Sequence, residues 1–225
     1  MLIHSNAAGK LDRVVHTKRL TPKGAATRQR IIEGTSVEVR ERGAAATTLD
    51  DVCARTSTSK SQIFHYFPGG KEELLLAVAA YEADRVLADQ EPYLSSLTSW
   101  EAWQNWRDLV VRRYRKLGVH CPLGVLITEL GRKTPAAQAL TGQLLERWQG
   151  QLRAGVTAMQ TAGQISPSLD ADRIAAWLIT AVQGGVAVLL STGKSDHLEA
   201  ALDTSLALLR AKPELLHVGA SQDPT

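Results

Sequence analysis

The chain has 225 residues, 44% of them hydrophobic, enough to bury a sizeable core in one or two domains. The longest apolar stretch, Ile174–Leu190, is broken by Thr180, Gln183, Gly184 and Gly185, and the N-terminus lacks the apolar region of a secretory signal, so a cytoplasmic protein without a membrane span is expected. The net charge of +3 is uneven: residues 1–71 hold 12 Lys and Arg against 6 Asp and Glu, and the remainder 14 against 17, which points to an anionic polymer as partner of the basic third, a solvated basic face being the plainer alternative.

Residues 1–24 read as a basic flexible arm carrying Lys10, Arg13, Lys18, Arg19 and Lys23, ending in the breaker cluster Thr21-Pro22-Lys23-Gly24. Beyond it the apolar periodicity is helical almost throughout and no strand is predicted, so the fold class is all-α. A first helix is predicted over Thr27–Arg42, with Ile31, Ile32, Thr35 and Val39 on one face and Gly43 as its stop. A second runs from Thr48, whose hydroxyl can cap it, to about Arg55, with Asp50 and Asp51 in its first turn and Leu49, Val52 and Cys53 on its buried side. A third runs from its cap Ser59 to Phe67, with Ile63, Phe64 and Phe67 inward and Pro68-Gly69-Gly70 as terminator. A fourth starts near Lys71 and breaks at Glu91-Pro92. After the linker Ser95–Ser99, helices are predicted over Trp100–Leu117, Val125–Leu130, Pro135–Ala162, Asp170–Ser191 and Leu198–Ala211, with a turn over Gly118–Gly124. The implied organisation is an arm (1–24), a three-helix head (25–71), a helical body (72–212) and a flexible tail (213–225).

Residues 48–67 have the length and pattern of a helix-turn-helix, which needs a compact core behind its last helix and a polar outer face in front. That outer face is Lys60, Ser61, Gln62, His65 and Tyr66, with Ser59 at its start. Gln62 can pair with an adenine edge, and Lys60 with a guanine edge or a phosphate. Thr48, His65 and Tyr66 are candidates for phosphates, which set register without reading sequence. Lys71, at the start of a helix, is a further phosphate candidate. The plainer readings are a ring packed at the head–body junction for Tyr66 and a solvated imidazole for His65.

The series Thr27-Arg28-Gln29-Arg30-Ile31-Ile32, Arg42-Gly43, Thr47-Thr48-Leu49-Asp50-Asp51-Val52-Cys53, Ser59-Lys60-Ser61-Gln62-Ile63-Phe64-His65-Tyr66-Phe67 and Lys71-Glu72-Glu73-Leu74-Leu75 resembles the N-terminal head of the TetR family. The extra glycine in Phe67-Pro68-Gly69-Gly70-Lys71, and Cys121-Pro122-Leu123-Gly124 followed by Glu129, resemble its LmrA/YxaF-like branch. Thr56-Ser57 departs from the small residue and glycine usual at the family's turn, so a positive φ at Ser57 would carry strain of about 1 kcal/mol or more. Thr58 stands where an apolar residue is usual, which predicts a looser turn.

The resemblance implies a dimeric repressor of double-stranded operator DNA whose C-terminal helices dimerise and enclose a small-molecule pocket, the ligand shifting the spacing of the two heads. The last two helices (about 170–211) offer apolar faces for a four-helix bundle across a two-fold axis: Ile174, Trp177, Leu178, Ala181, Val182, Val186 and Leu189 on one, Leu202, Leu206 and Leu209 on the other. Gln183-Gly184-Gly185 permits close backbone approach, and ordinary intrachain core is the alternative. All five tryptophans (Trp100, Trp103, Trp106, Trp148 and Trp177) fall in the body. Trp103, Trp106, Trp148 and Trp177, with Cys121, Leu126 and Met159, are expected to line a pocket for a small, largely apolar or aromatic effector, core packing being the plainer reading. The run Arg112, Arg113, Arg115, Lys116 reads as a solvated helix end in which one arginine can pair with an acidic ligand.

Neither a metal nor a cofactor is expected, because Cys53 and Cys121 have no C-x-x-C spacing and no nearby histidine pair. No catalytic serine elbow, P-loop, zinc-protease or dinucleotide fingerprint is present, so an enzyme is not expected. His120 and Cys121 are adjacent, and neighbouring side chains rarely converge. A constitutive or architectural DNA-binding protein is the alternative, and an all-α enzyme the remote one.

Overall fold

A computed structural model describes residues 20–118 and 134–211. Among the described residues there are eight α-helices, one 3-10 turn and no strand, in agreement with the all-α expectation.

Helix α1 spans Pro22–Arg42 and begins well before Thr27. The Thr21-Pro22-Lys23-Gly24 cluster is therefore a start signal rather than a breaker: Thr21 Oγ1 accepts from the Gly24 N–H at 3.2 Å, and Pro22, at the first helical position, has no N–H to leave unpaired. Helices α2 (Leu49–Thr56), α3 (Lys60–Tyr66) and α4 (Gly70–Ala88) complete the head. Its core is built on Ile31, Ile32, Val39, Val52, Ile63, Phe67, Leu74, Leu75 and Val78, and it runs on along α4 as far as Ala79. The second half of α4 contributes Ala83, Val86 and Leu87 to the body core, so one continuous helix belongs to both hydrophobic clusters.

The 3-10 turn Leu94–Ser96 leads into α5 (Trp100–Leu117), capped by Ser99. The body is completed by α6 (Pro135–Thr161), α7 (Ala171–Thr192) and α8 (Asp196–Arg210). Helix α6 opens as expected, with Thr134 capping and Pro135 in the first turn.

Helix α7 is long and apolar enough to cross a membrane by length and composition alone, despite Thr180 and Gln183. Here it packs between α6 and α8, with Leu178, Val182, Val186 and Leu189 in the core. The apolar faces singled out for a dimer, including Leu202, Leu206 and Leu209 of α8, are thus largely turned inward within one chain. Close backbone approach at Gly185 is also intramolecular: a Cβ there would lie 2.5 Å from Leu198 Cα. Gly184, in contrast, has open space around it.

Candidate nucleic-acid interface

Two short helices are presented by chemistry that is entirely local. Thr48 caps α2: its Oγ1 accepts from the Asp51 N–H at 3.2 Å, while Asp51 Oδ2 accepts from the Thr48 N–H at 3.0 Å. The Thr48 hydroxyl also donates to Asp51 Oδ2 at 2.6 Å. These bonds from Thr48, assisted by the charge of Arg42, hold the Asp51 carboxyl below the ordinary aspartate value. Ser59 and Gln62 repeat the device on α3: Ser59 Oγ accepts from the Gln62 N–H at 3.2 Å and Gln62 Oε1 accepts from the Ser59 N–H at 2.9 Å.

Between the helices Ser57 adopts φ 49° and ψ 48°, the left-handed conformation expected to carry strain. Thr58 does not leave the turn loose. The Thr56 hydroxyl donates to Val52 O at 2.7 Å, so the 2.7 Å contact between Thr56 Oγ1 and Thr58 Oγ1 has Thr58 as donor, and a hydroxyl pair takes the place of an apolar contact. Helix α1 packs on this motif through two features. At Gly34 the absent side chain makes room for the Thr56 methyl, which would lie 2.3 Å from a Cβ there. Glu38, 3% exposed, accepts from Arg55 Nε at 2.5 Å and pairs with Arg42, which also reaches Asp51 at 3.1 Å.

With α3 held in this way, Lys60, Ser61, Gln62 and His65 are all exposed on it. Lys60 Nζ lies 2.9 Å from Asp50 Oδ1, and this carboxylate raises the lysine's affinity for its proton. Tyr66 is half-buried, packed edge-on to His65 with ring centroids 4.9 Å apart. Lys71 donates to Ala45 O at 3.0 Å and ties the α1–α2 loop to the start of α4. The Gly69 N–H at the mouth of α4 is taken by Glu73 Oε2 at 2.7 Å.

Phe64 corrects the sequence reading. It was expected inward, yet it is 48% exposed, with its ring edge beside Gly70. Helix α3 has only seven residues and buries Ile63 and Phe67, one turn apart; Phe64 stands about 100° round from Ile63 and falls on the outer face. The signal was legible in principle, since a buried i, i+4 pair turns position i+1 aside. A flat apolar ring therefore accompanies the polar groups on the presented surface.

The body residues singled out for an effector are divided. Trp103, Trp106, Trp148 and Met159 are fully buried in the packed core, with Trp103 and Trp106 edge-to-face at 5.7 Å. Trp106 Nε1 donates to Gln90 Oε1 at 2.8 Å, whereas the indole N–H groups of Trp103 and Trp148 have no hydrogen-bond partner among the described residues. Trp177 is half-buried on α7, and Cys121 and Leu126 lie outside the described residues.

Comparison with known proteins matches this layout in two segments. Residues 31–78 match the model of the bacterial regulatory proteins of the tetR family, and residues 100–205 match the tetracyclin repressor-like C-terminal domain, together about two thirds of the chain. An HTH-type transcriptional regulator of Mycobacterium tuberculosis is 25% identical over 181 residues, covering 75% of this chain and 86% of its own. Among solved structures, a TetR-family regulator of Cytophaga hutchinsonii superimposes with a TM-score of 0.73 at 24% identity, covering 87% of this chain and 100% of its own. A TetR transcriptional regulator of Chloroflexus aurantiacus gives 0.69 at 25% identity, covering 83% and 96%.

Proposed function

Since the chain belongs to the TetR family of DNA-binding transcriptional regulators, which are not enzymes, we propose that it is a dimeric repressor released from its operator by a small, largely apolar or aromatic molecule. The observation that carries the reading is the exposed face of α3, where Lys60, Ser61, Gln62, Phe64 and His65 stand on a helix fixed by its capping box and by Ile63 and Phe67 beneath. In this reading α3 enters the major groove; Gln62 and Lys60 meet base edges, and Thr48, Ser59, His65, Tyr66 and Lys71 meet the backbone. The Lys71–Ala45 tether would open to free the ammonium for a phosphate.

Dimerisation is assigned to α7 and α8. Only 39% of the most apolar window of α7 is buried within one chain, and Thr180, Gly184, Ala187 and Ser191 form an outward stripe of small side chains that lets a second copy approach closely. The effector is assigned to the tryptophan-rich body core, supported by the unpartnered N–H groups of Trp103 and Trp148. Placement in the LmrA/YxaF-like branch is supported by Gly70, whose φ of +67° suits the extra glycine of that motif. The cytoplasm is the compartment that fits this role.

Selection of bound duplexes from a random pool tests the whole reading. The expected result is a palindrome with half-sites about one helical turn apart or a multiple of it, bound with a steep inverse dependence on salt. Gln62→Ala should change the preferred base at one position, and Lys71→Ala should weaken all sequences alike. A pool with no enriched sequence overturns the assignment. Saturable quenching of tryptophan emission, coupled to operator release, supports the effector; no response across a broad planar-compound library favours a constitutive DNA-binding protein.

A further inference from the structure

Phe64, 48% exposed, is the only large hydrophobic side chain left exposed among the described residues. It belongs to neither hydrophobic cluster, and it stands on a face that is otherwise polar: Lys60 and Ser61 lie one turn before it on the same side of α3, with Gln62 and His65 beyond them. The ring is also seated. Its edge rests against Gly70, buried in the first turn of α4 at φ +67°, where a Cβ would lie 3.2 Å from Phe64 Cε1 and 3.9 Å from Cζ. Glycine there takes up a left-handed backbone and also leaves the space that holds one side of the ring, while the other side stays open. Burial of Ile63 and Phe67 does not demand a ring at position 64, which a polar residue would occupy at lower cost in water. The contacts proposed for α3 use hydrogen bonds and charge alone, so this ring is the part of the presented face without a partner.

We propose that Phe64 packs against the C5-methyl group of a thymine and so fixes one base of each half-site, a role that rests on α3 being the helix that enters the major groove. Among the four bases only thymine shows a methyl group there; guanine and adenine show N7 with O6 or N6, and cytosine its N4 amine. The ring buries the methyl and can pair with none of the polar edges, so every other base loses water at this position without replacement. Because Gly70 seats the ring before DNA arrives, little side-chain freedom is lost on contact.

The test is a uracil scan. The full chain is titrated, by fluorescence anisotropy, with the duplex enriched from a random pool and with copies in which each thymine in turn is replaced by uracil, a change that removes only the methyl. At one position uracil should weaken binding about fourfold when placed in one half-site and about fifteenfold when placed in both, the effect of burying one methyl per half-site. Since the methyl carries no charge, this ratio should be the same at about 50 and about 200 mM salt, although affinity itself falls between them. Phe64→Ala, or Phe64→Gln should the alanine variant melt below the parent, is expected to bind thymine and uracil alike at that position and to leave every other position as in the parent, measured at a salt concentration low enough for both proteins to bind. Phe64→Leu, which keeps an apolar side chain, should retain part of the discrimination. A half-site without thymine, or one in which uracil is tolerated at every position, overturns the proposal and leaves α3 as the reading helix. Discrimination that survives in both Phe64→Ala and Phe64→Gln overturns the assignment to Phe64. Absence of any enriched sequence overturns the DNA reading of α3 and the role of Phe64 with it.

Discussion

Replacing Gly34 by alanine should push α1 away from the helix-turn-helix, and a second substitution should undo the damage. An alanine Cβ at this position would stand 2.3 Å from Thr56 Cγ2, far inside van der Waals contact. Gly→Ala in a helix interior ordinarily stabilises by about 1 kcal/mol, whereas overpacking of this kind costs about 1–3 kcal/mol. Rotating Thr56 out of the way does not avoid the cost, because its hydroxyl bonds to Val52 O and Thr58 would break. Gly34→Ala should therefore lose about 1 kcal/mol net, or about 2–4 °C in Tm for a chain of this size. Thr56→Ser keeps the hydroxyl and removes the offending methyl, at about 1 kcal/mol for the buried group. In the double variant the alanine methyl fills the space the threonine methyl has left, so stability should return close to the parent. Urea unfolding of the four proteins then gives a coupling energy of about 1–3 kcal/mol in favour of the pair. Effects that add to within about 0.5 kcal/mol would refute the steric argument.

Ser57→Gly should stabilise the chain by up to about 1 kcal/mol, since relief of the left-handed backbone at φ 49° outweighs the extra freedom glycine has when unfolded. A higher urea midpoint at unchanged slope is the expected signature, and a lower midpoint would show that Ser57 is not strained. Asp51→Asn should flatten the acid limb of the stability profile. The folded carboxyl titrates below its ordinary value, so its stabilisation is complete above the ordinary aspartate range and is lost as pH falls through and below it. Melting curves across that range should show the variant less pH-dependent than the parent; parallel profiles would refute the role of the box.

What could be read in advance was what is chemically local. Thr48 and Ser59 cap α2 and α3 because a hydroxyl next to a run of free amides has one efficient use, and neighbouring residues suffice to recognise it. The same locality misled at Thr21-Pro22, where one dipeptide suits a turn and the first turn of a helix equally well. Phe64 was placed inside because it is aromatic, although which side of a seven-residue helix is buried depends on what packs against it. The apolar faces of α7 and α8 announced burial correctly without naming their partner, which proved to be largely the same chain. Ser36 and Glu82, 46 positions apart, carry no sequence sign that they meet in the joint between head and body.

In the proposed reading Gln62 would approach DNA with its carbonyl oxygen occupied by its own helix, where it accepts from the Ser59 N–H at 2.9 Å. The competitor for an adenine edge is then not bulk water but an intramolecular donor, the Ser59 N–H, that is always within reach. At a mismatched base pair the side chain would fall back on Ser59 and leave its oxygen paired, so rejection of the wrong base at this position should fall short of the about 1–3 kcal/mol of a dedicated bidentate contact. At the matching base the first turn of α3 would surrender one of its tethers as recognition is completed. On this reading the helix would be tighter while searching than when bound, and the operator position facing Gln62 would be free to drift.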